Sequence, residues 1–193
     1  MRRLAAALLL LAPSPAASQQ IDVSLANKAD GSRSLVHEIV IRAPVTEVWA
    51  AVATTEGWRT WAVPMARRVP GTLDRFETSY ATDAPPGGPS TIEQQWVTRA
   101  APRQVVFRTT RTPQGFPHAD SYRLVESSFV LTPTSATATR VRLTGSGYPT
   151  GSAGDALIAF FREGNRTALQ QLHSRFTTGP IDWAARRVKP GQN

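Results

Sequence analysis

The chain has 193 residues, no cysteine and a formal net charge of +8, carried almost wholly by arginine, since Lys28 and Lys189 are its only lysines. Without cysteine there is no disulfide, no thiol nucleophile and no thiolate metal site. The arginines are scattered, with no run of five like charges, so they read as a solvated surface and not as a nucleic-acid tract.

The first segment reads as processing information. Met1-Arg2-Arg3 is a short positive start, Leu4–Leu11 is unbroken apolar sequence, and Pro13, Pro15, Ala16, Ala17 and Ser18 supply a break and small residues. That is the three-part pattern of a secretory signal peptide, and the apolar run falls well short of the about 20 residues that a membrane span needs. Export to a periplasm or to the medium is therefore expected, with residues 1–18 as the signal, 19–183 as one domain and 184–193 as a loose basic tail.

Ile21, Val23 and Leu25 alternate with polar residues, as does Leu35–Ile41, so two strands are expected, joined by the Asp30-Gly31 turn. Pro44 suits the start of a helix. Val45, Val48, Trp49 and Val52 make one apolar face, and a second short helix carrying Trp58 and Trp61 follows. From Met65 the pattern is that of strands: Leu73–Tyr80, then the loop Ala84-Pro85-Pro86-Gly87-Gly88-Pro89, then Thr91–Thr98, Arg103–Thr110, Tyr122–Leu131 and Thr137–Gly145, with a turn at Pro133–Ser135. A long helix closes the domain, with Ser152 and Asp155 in the spacing of a capping box. Leu157, Phe161, Ala168, Leu172 and Phe176 lie on its apolar face, and Gly164 interrupts it. The fold class is α+β: one curved antiparallel sheet wrapped around a long C-terminal helix, with two short helices plugging one end.

Four segments carry a resemblance. IRAPVTEVWAAVATTEGWRTWAVPMA (Ile41–Ala66), APRQVVFR (Ala101–Arg108), TRVRLTGSGYPTG (Thr139–Gly151) and FFREGNRTALQQLHSRFTTGPIDW (Phe160–Trp183) resemble the SRPBCC, or START-like, superfamily. The branch they most resemble is that of the homologues of the activator of the heat-shock chaperone ATPase. The resemblance implies a helix-grip fold with an internal cavity. It also implies a cytosolic chaperone as partner, which the signal peptide speaks against; no cytosolic chaperone is expected.

No catalytic motif stands out. His37, His118 and His173 have no metal-ligand spacing, there is no nucleophile elbow and no phosphate or dinucleotide loop, and neither a cofactor nor a metal is expected. The aromatic residues carry the functional reading. Trp61, Phe76, Gln94, Trp96, Phe107, Tyr122, Phe160, Phe161 and Gly164 are expected to line a cavity for a hydrophobic, lipid-like small molecule, with no catalytic centre. The alternatives are a cyclase- or hydrolase-like enzyme using the same cavity, and a periplasmic interaction or stress module using a basic outer sheet face (Arg108, Arg123, Arg140, Arg142). The positive charge is also compatible with weak contact to an anionic membrane surface.

Overall fold

The computed structural model describes residues 20–186; residues 1–18, expected to be a signal peptide, and residues 187–193 of the expected tail lie outside the described residues. Strands β1 (Asp22–Asn27) and β2 (Arg33–Ile41) lead into helices α1 (Val45–Ala53) and α2 (Thr55–Arg59). Strands β3 (Met65–Arg68), β4 (Arg75–Ser79), β5 (Ile92–Ala100) and β6 (Gln104–Arg111) follow. Then come a short helix α3 (Ala119–Arg123), strands β7 (Glu126–Ser135) and β8 (Ala138–Tyr148), and the long helix α4 (Ser152–Thr177). The eight strands form one antiparallel sheet in the order β1-β2-β8-β7-β6-β5-β4-β3. This is the α+β helix-grip arrangement read from the sequence.

Period-2 alternation decides which face of each strand is buried. On β2, Leu35, His37, Ile39 and Ile41 point inward while Val36, Glu38 and Val40 are half-buried on the other face. Helix α4 lies over β2 and β8 and buries Leu157, Ile158, Leu169 and Leu172. Two apolar clusters result. The larger joins α1, α2, the sheet interior and the C-terminal half of α4; the smaller joins Leu35, Val125, Tyr148, Leu157 and Ile158, with Phe116, Tyr122 and Phe161 packed against it.

The two short helices end in an unusual way. The last carbonyls of a helix have no partner within it. In α1 the indole N–H groups of Trp58 and Trp61 supply the missing donors, to the carbonyls of Val52 (2.7 Å) and Ala51 (2.9 Å), and the Thr54 hydroxyl serves Ala50 (2.8 Å). In α2 the chain's C-terminal segment does the same. The Trp183 indole N–H donates to the Arg59 carbonyl (2.6 Å) and the Ile181 amide to that of Thr60 (2.9 Å). With the Gln171 amide turned so that donor meets acceptor, its nitrogen reaches the Trp61 carbonyl (3.0 Å).

Three expectations are corrected. Tyr122 is not on a strand: β7 begins only at Glu126, and Ala119–Arg123 form one helical turn in which the Tyr122 amide bonds the His118 carbonyl (2.9 Å) and Arg123 pairs with Asp120. Arg123 is thereby removed from the basic sheet face. The turn expected at Pro133–Ser135 lies within β7, which runs to Ser135 with an irregular register there. The Ser152/Asp155 capping box does not form, because Gly151 is the N-cap and no side chain caps it. Asp155 is instead drawn to Arg33 of β2 (2.5 Å), whose other nitrogen donates to the Pro149 carbonyl (2.6 Å).

Candidate functional site

The inner face of β4–β6 carries the side chains that matter. Phe76 and Thr78 succeed one another at period 2 on β4, as do Gln94 and Trp96 on β5 and Phe107 and Thr109 on β6, while Tyr80, just past β4, is 58 % exposed. Register then lays them side by side: Phe76 opposes Gln94, Gln94 opposes Thr109, and Trp96 opposes Phe107.

The aromatic members are packed on one another. Phe76 and Trp96 stack with ring centroids 4.1 Å apart. Trp58 stands edge-on to Phe76 (5.4 Å) and Phe107 (5.5 Å), and Phe107 stacks on Phe129 (6.2 Å). Trp61, 2 % exposed, lies further along, edge-on to Phe129 (6.3 Å). Such offset and edge-to-face geometry is the favourable one for aromatic rings. Here it fills this end of the interior with side chains, so these residues make a solid floor.

Beside the floor the lining turns polar without becoming charged. Thr78, Gln94 and Thr109 are all buried. The Gln94 side-chain amide makes no hydrogen bond among the described residues, and its Oε1 is buried without a partner. A buried amide left unpaired is costly, by about 1–3 kcal/mol. Tyr122, carried by α3, closes over this row: burial pushes its phenol above the ordinary tyrosine range, and the adjacent Thr109 hydroxyl pulls the other way. Its ring stacks on Phe161 of α4 (4.7 Å). Tyr80 and Tyr148 are close enough to Tyr122 to influence its charge or be influenced by it, and burial raises both phenols too. All three therefore stay neutral at neutral pH.

The remaining residues expected to line a cavity are placed differently. Phe160 is 56 % exposed and packs edge-on against Phe116 (5.9 Å) at the rim. Gly164 stands on the exposed side of α4, where an added Cβ would meet nothing within 4 Å; it faces no cavity. The expected residues therefore fall into two groups, Trp61, Phe76, Trp96 and Phe107 in the floor and Tyr122 and Phe161 in the cover, with Gln94 between them. Thr78, Thr109, Tyr80 and Tyr148 were not singled out from the sequence. For Thr78 and Thr109 the signal was the strand alternation itself, since each stands two residues from an aromatic residue of the same lining; Tyr80 and Tyr148 had no such neighbour.

Next to this row a surface cleft of about 510 Å³ is lined by Ser79, Tyr80, Ala81, Pro89, Ser90, Pro113 and Gln114. Another, of about 400 Å³, lies at the far end of α4 and includes Gln171, Ile181, Asp182 and Arg186. Among the described residues there is no group of three or more metal-ligating side chains, and no helix is long and apolar enough to cross a membrane. His37 is fully buried, its Nε2 on the Arg162 carbonyl (2.9 Å).

A family described as polyketide cyclase / dehydrase and lipid transport matches residues 32–177. The chain belongs to this family. Solved structures agree on the fold. A protein from Mesorhizobium loti shares 18 % identity at a TM-score of 0.58, over 77 % of this chain and 100 % of that one. The Aha1 dimer from Colwellia psychrerythraea shares 16 % at 0.57, over 76 % and 97 %. CalU16 from Micromonospora echinospora shares 17 % at 0.59, over 92 % and 87 %. No curated protein matches the chain. The SRPBCC, helix-grip assignment thus holds, and with it a fold of the hydrophobic-ligand-binding kind.

Within this cyclase and lipid-transport family the lining described above has a clear chemical character. It holds rings, hydroxyls and one amide, with the Arg99 guanidinium over the Trp96 ring at its edge (5.6 Å). It can bind and orient an apolar molecule.

Proposed function

We propose that this chain is an exported binding or carrier protein for a hydrophobic small molecule, seated between the aromatic floor of β4–β6 and the α3 cover, and that the site has no acid–base or nucleophilic group of its own. The observation that carries this reading is the buried Gln94 amide oxygen, without a partner among the described residues, on the face it shares with Phe76, Trp96 and Thr109. A domain tolerates such a group when something else satisfies it. The α3 segment is the part suited to open. It buries no residue of its own, its N-cap His118 sits in the left-handed region (φ 54°), and no side chain caps it. Elements with so little packing lie at the low-stability end of a fold.

The test is native mass spectrometry of the protein recovered from its own host, followed by thermal unfolding with fatty alcohols, isoprenoids, sterols and phenols. A ligand at a hundredfold excess over Kd adds about 2.7 kcal/mol to stability, a rise of about 5–10 °C for a domain of this size. No co-purifying molecule and no shift across the panel would overturn the reading. Export is tested separately: the mature N-terminus is expected between Ala17 and Ile21, and recovery of intact Met1 from the native host would refute it.

A further inference from the structure

We infer that the molecule bound at this site is neutral where it meets the protein and presents a hydroxyl donor to the Gln94 amide oxygen, so that alcohols and phenols are taken and carboxylates and phosphates are refused. The inference rests on the binding-protein reading above and adds the polarity of the ligand.

Two independent features support it. The first is the unmet acceptor. Gln94 is 5 % exposed and its Oε1 has no donor among the described residues. Thr109 and Thr78 stand beside it, and neither side chain bonds the amide. A ligand hydroxyl would supply the missing donor and could itself accept from a neighbouring hydroxyl.

The second is where the charges go. Among the described residues, the ionisable side chains of β4–β6 are engaged away from Gln94, and Arg99, which register sets opposite Val105 on the inner face, lies over the Trp96 ring (5.6 Å). Glu77 is held by Arg67 (2.9 Å) and Arg111 (2.7 Å), and Glu93 by Arg75 (3.2 Å). Arg108 donates to Gln95 (2.9 Å). The groups nearest Gln94 on the inner face are Thr78 and Thr109, with Tyr122 beside Thr109, and none of them carries a charge at neutral pH. A carboxylate or phosphate placed against Gln94 would thus be buried without a cation, and an unpaired buried charge is strongly disfavoured. The engagement of Arg67, Arg75, Arg108 and Arg111 with outward partners, despite the chain's net positive charge, keeps these cations away from Gln94.

The experiment uses the full chain and three ligands of one frame: 4-hexylphenol, 4-hexylanisole and 4-hexylbenzoate at pH 8, each displacing the neutral reporter N-phenyl-1-naphthylamine. The phenol is expected to bind about five- to tenfold more tightly than the anisole, which lacks the donor, and the benzoate to bind most weakly. In Gln94→Leu, or Gln94→Met where the leucine variant does not fold, the phenol–anisole gap is expected to close while the anisole keeps its affinity within about twofold. Equal binding of phenol and anisole by the native chain, benzoate binding as tight as phenol, or a gap that survives removal of the amide would each overturn this inference while leaving the binding-protein reading standing. If neither the reporter nor any of the three binds, both fall together.

Discussion

Removing the ring of Trp61 tests the aromatic end of the fold most directly. The side chain is 2 % exposed, packs on Trp58 (5.9 Å) and Phe129 (6.3 Å), and donates its indole N–H to the Ala51 carbonyl (2.9 Å) at the end of α1. Trp61→Ala therefore removes a buried ring and leaves a hole, a change that costs about 3–5 kcal/mol in ordinary cores. It also orphans a buried helix-end carbonyl, which by itself costs about 1–3 kcal/mol. Trp61→Phe separates the two effects, since it keeps most of the ring and loses only the donor; a loss of about 1–3 kcal/mol is expected. Urea unfolding followed by far-ultraviolet circular dichroism reads both, with unchanged m-values as the sign that the folded state is still the same. A loss below about 1 kcal/mol for the alanine variant, against the usual core range, would refute the packing argument. A phenylalanine variant as stable as the native chain would refute the capping argument.

Gly57→Ala is expected to cost about 1–3 kcal/mol, because a Cβ there would lie 2.1 Å from the Ala50 carbonyl oxygen and 2.6 Å from that of Ala51, both backbone atoms; a neutral effect in chemical denaturation would show that α1 and α2 are further apart. Gly164→Ala is expected to stabilise α4 by about 0.5–1 kcal/mol, since open space surrounds the position, raising Tm by about 1–4 °C with ligand affinity unchanged; a weakened ligand would place Gly164 in the site after all. Burial holds the His37 imidazole below its ordinary pKa, and Arg162 and Arg166 lower it further, against the opposing pull of the Arg162 carbonyl and Glu163. The unfolded chain then takes up this proton at a higher pH, near 6.5, than the folded one. The stabilisation is present above that pH and is lost as the pH falls toward the folded value. His37→Leu is expected to flatten the stability profile between about pH 7 and 5, and identical slopes for the two proteins would overturn this.

Much of the architecture was legible because it is written in local periodicity. The alternation of β2, the apolar face of α1, the Pro/Gly loop before β5 and the wide stripe of α4 each follow from side-chain spacing alone. The misread places are those where a distant residue or a tertiary neighbour competed with the local rule. Ser152 and Asp155 have capping-box spacing, yet Arg33, 122 residues away in sequence, takes the carboxylate. Tyr122 has strand-like neighbours, yet Phe161 and Thr109 hold it on a helical turn. The site suffered from the same limit. Periodicity says which face of a strand is inward but not how far along the interior a side chain lies, so residues of the floor and of the cover were grouped as one lining, and the threonines between them read only as good strand formers.

The same distinction bears on how the domain could take up a ligand. The aromatic end is locked from both sides. Indole N–H groups close α1, and the segment after α4 closes α2 through Ile181 and Trp183, with Arg186 lying over the Trp183 ring (5.7 Å). A five-residue helix such as α2 has no stability of its own, so its order depends on this closing segment, and the C-terminal residues through Trp183 belong to the fold. Nothing comparable closes α3. It is equally short, buries no residue, and is held by ring contacts of Tyr122 with Phe161 and Phe116. Opening the aromatic end would break backbone-satisfying bonds and a dense ring cluster together. Lifting α3 would separate a few ring contacts and expose the unsatisfied Gln94 amide. The less costly motion is therefore the one that uncovers the Gln94 amide oxygen, which has no partner among the described residues, so the proposed ligand site and its point of entry fall at the same end of the sheet.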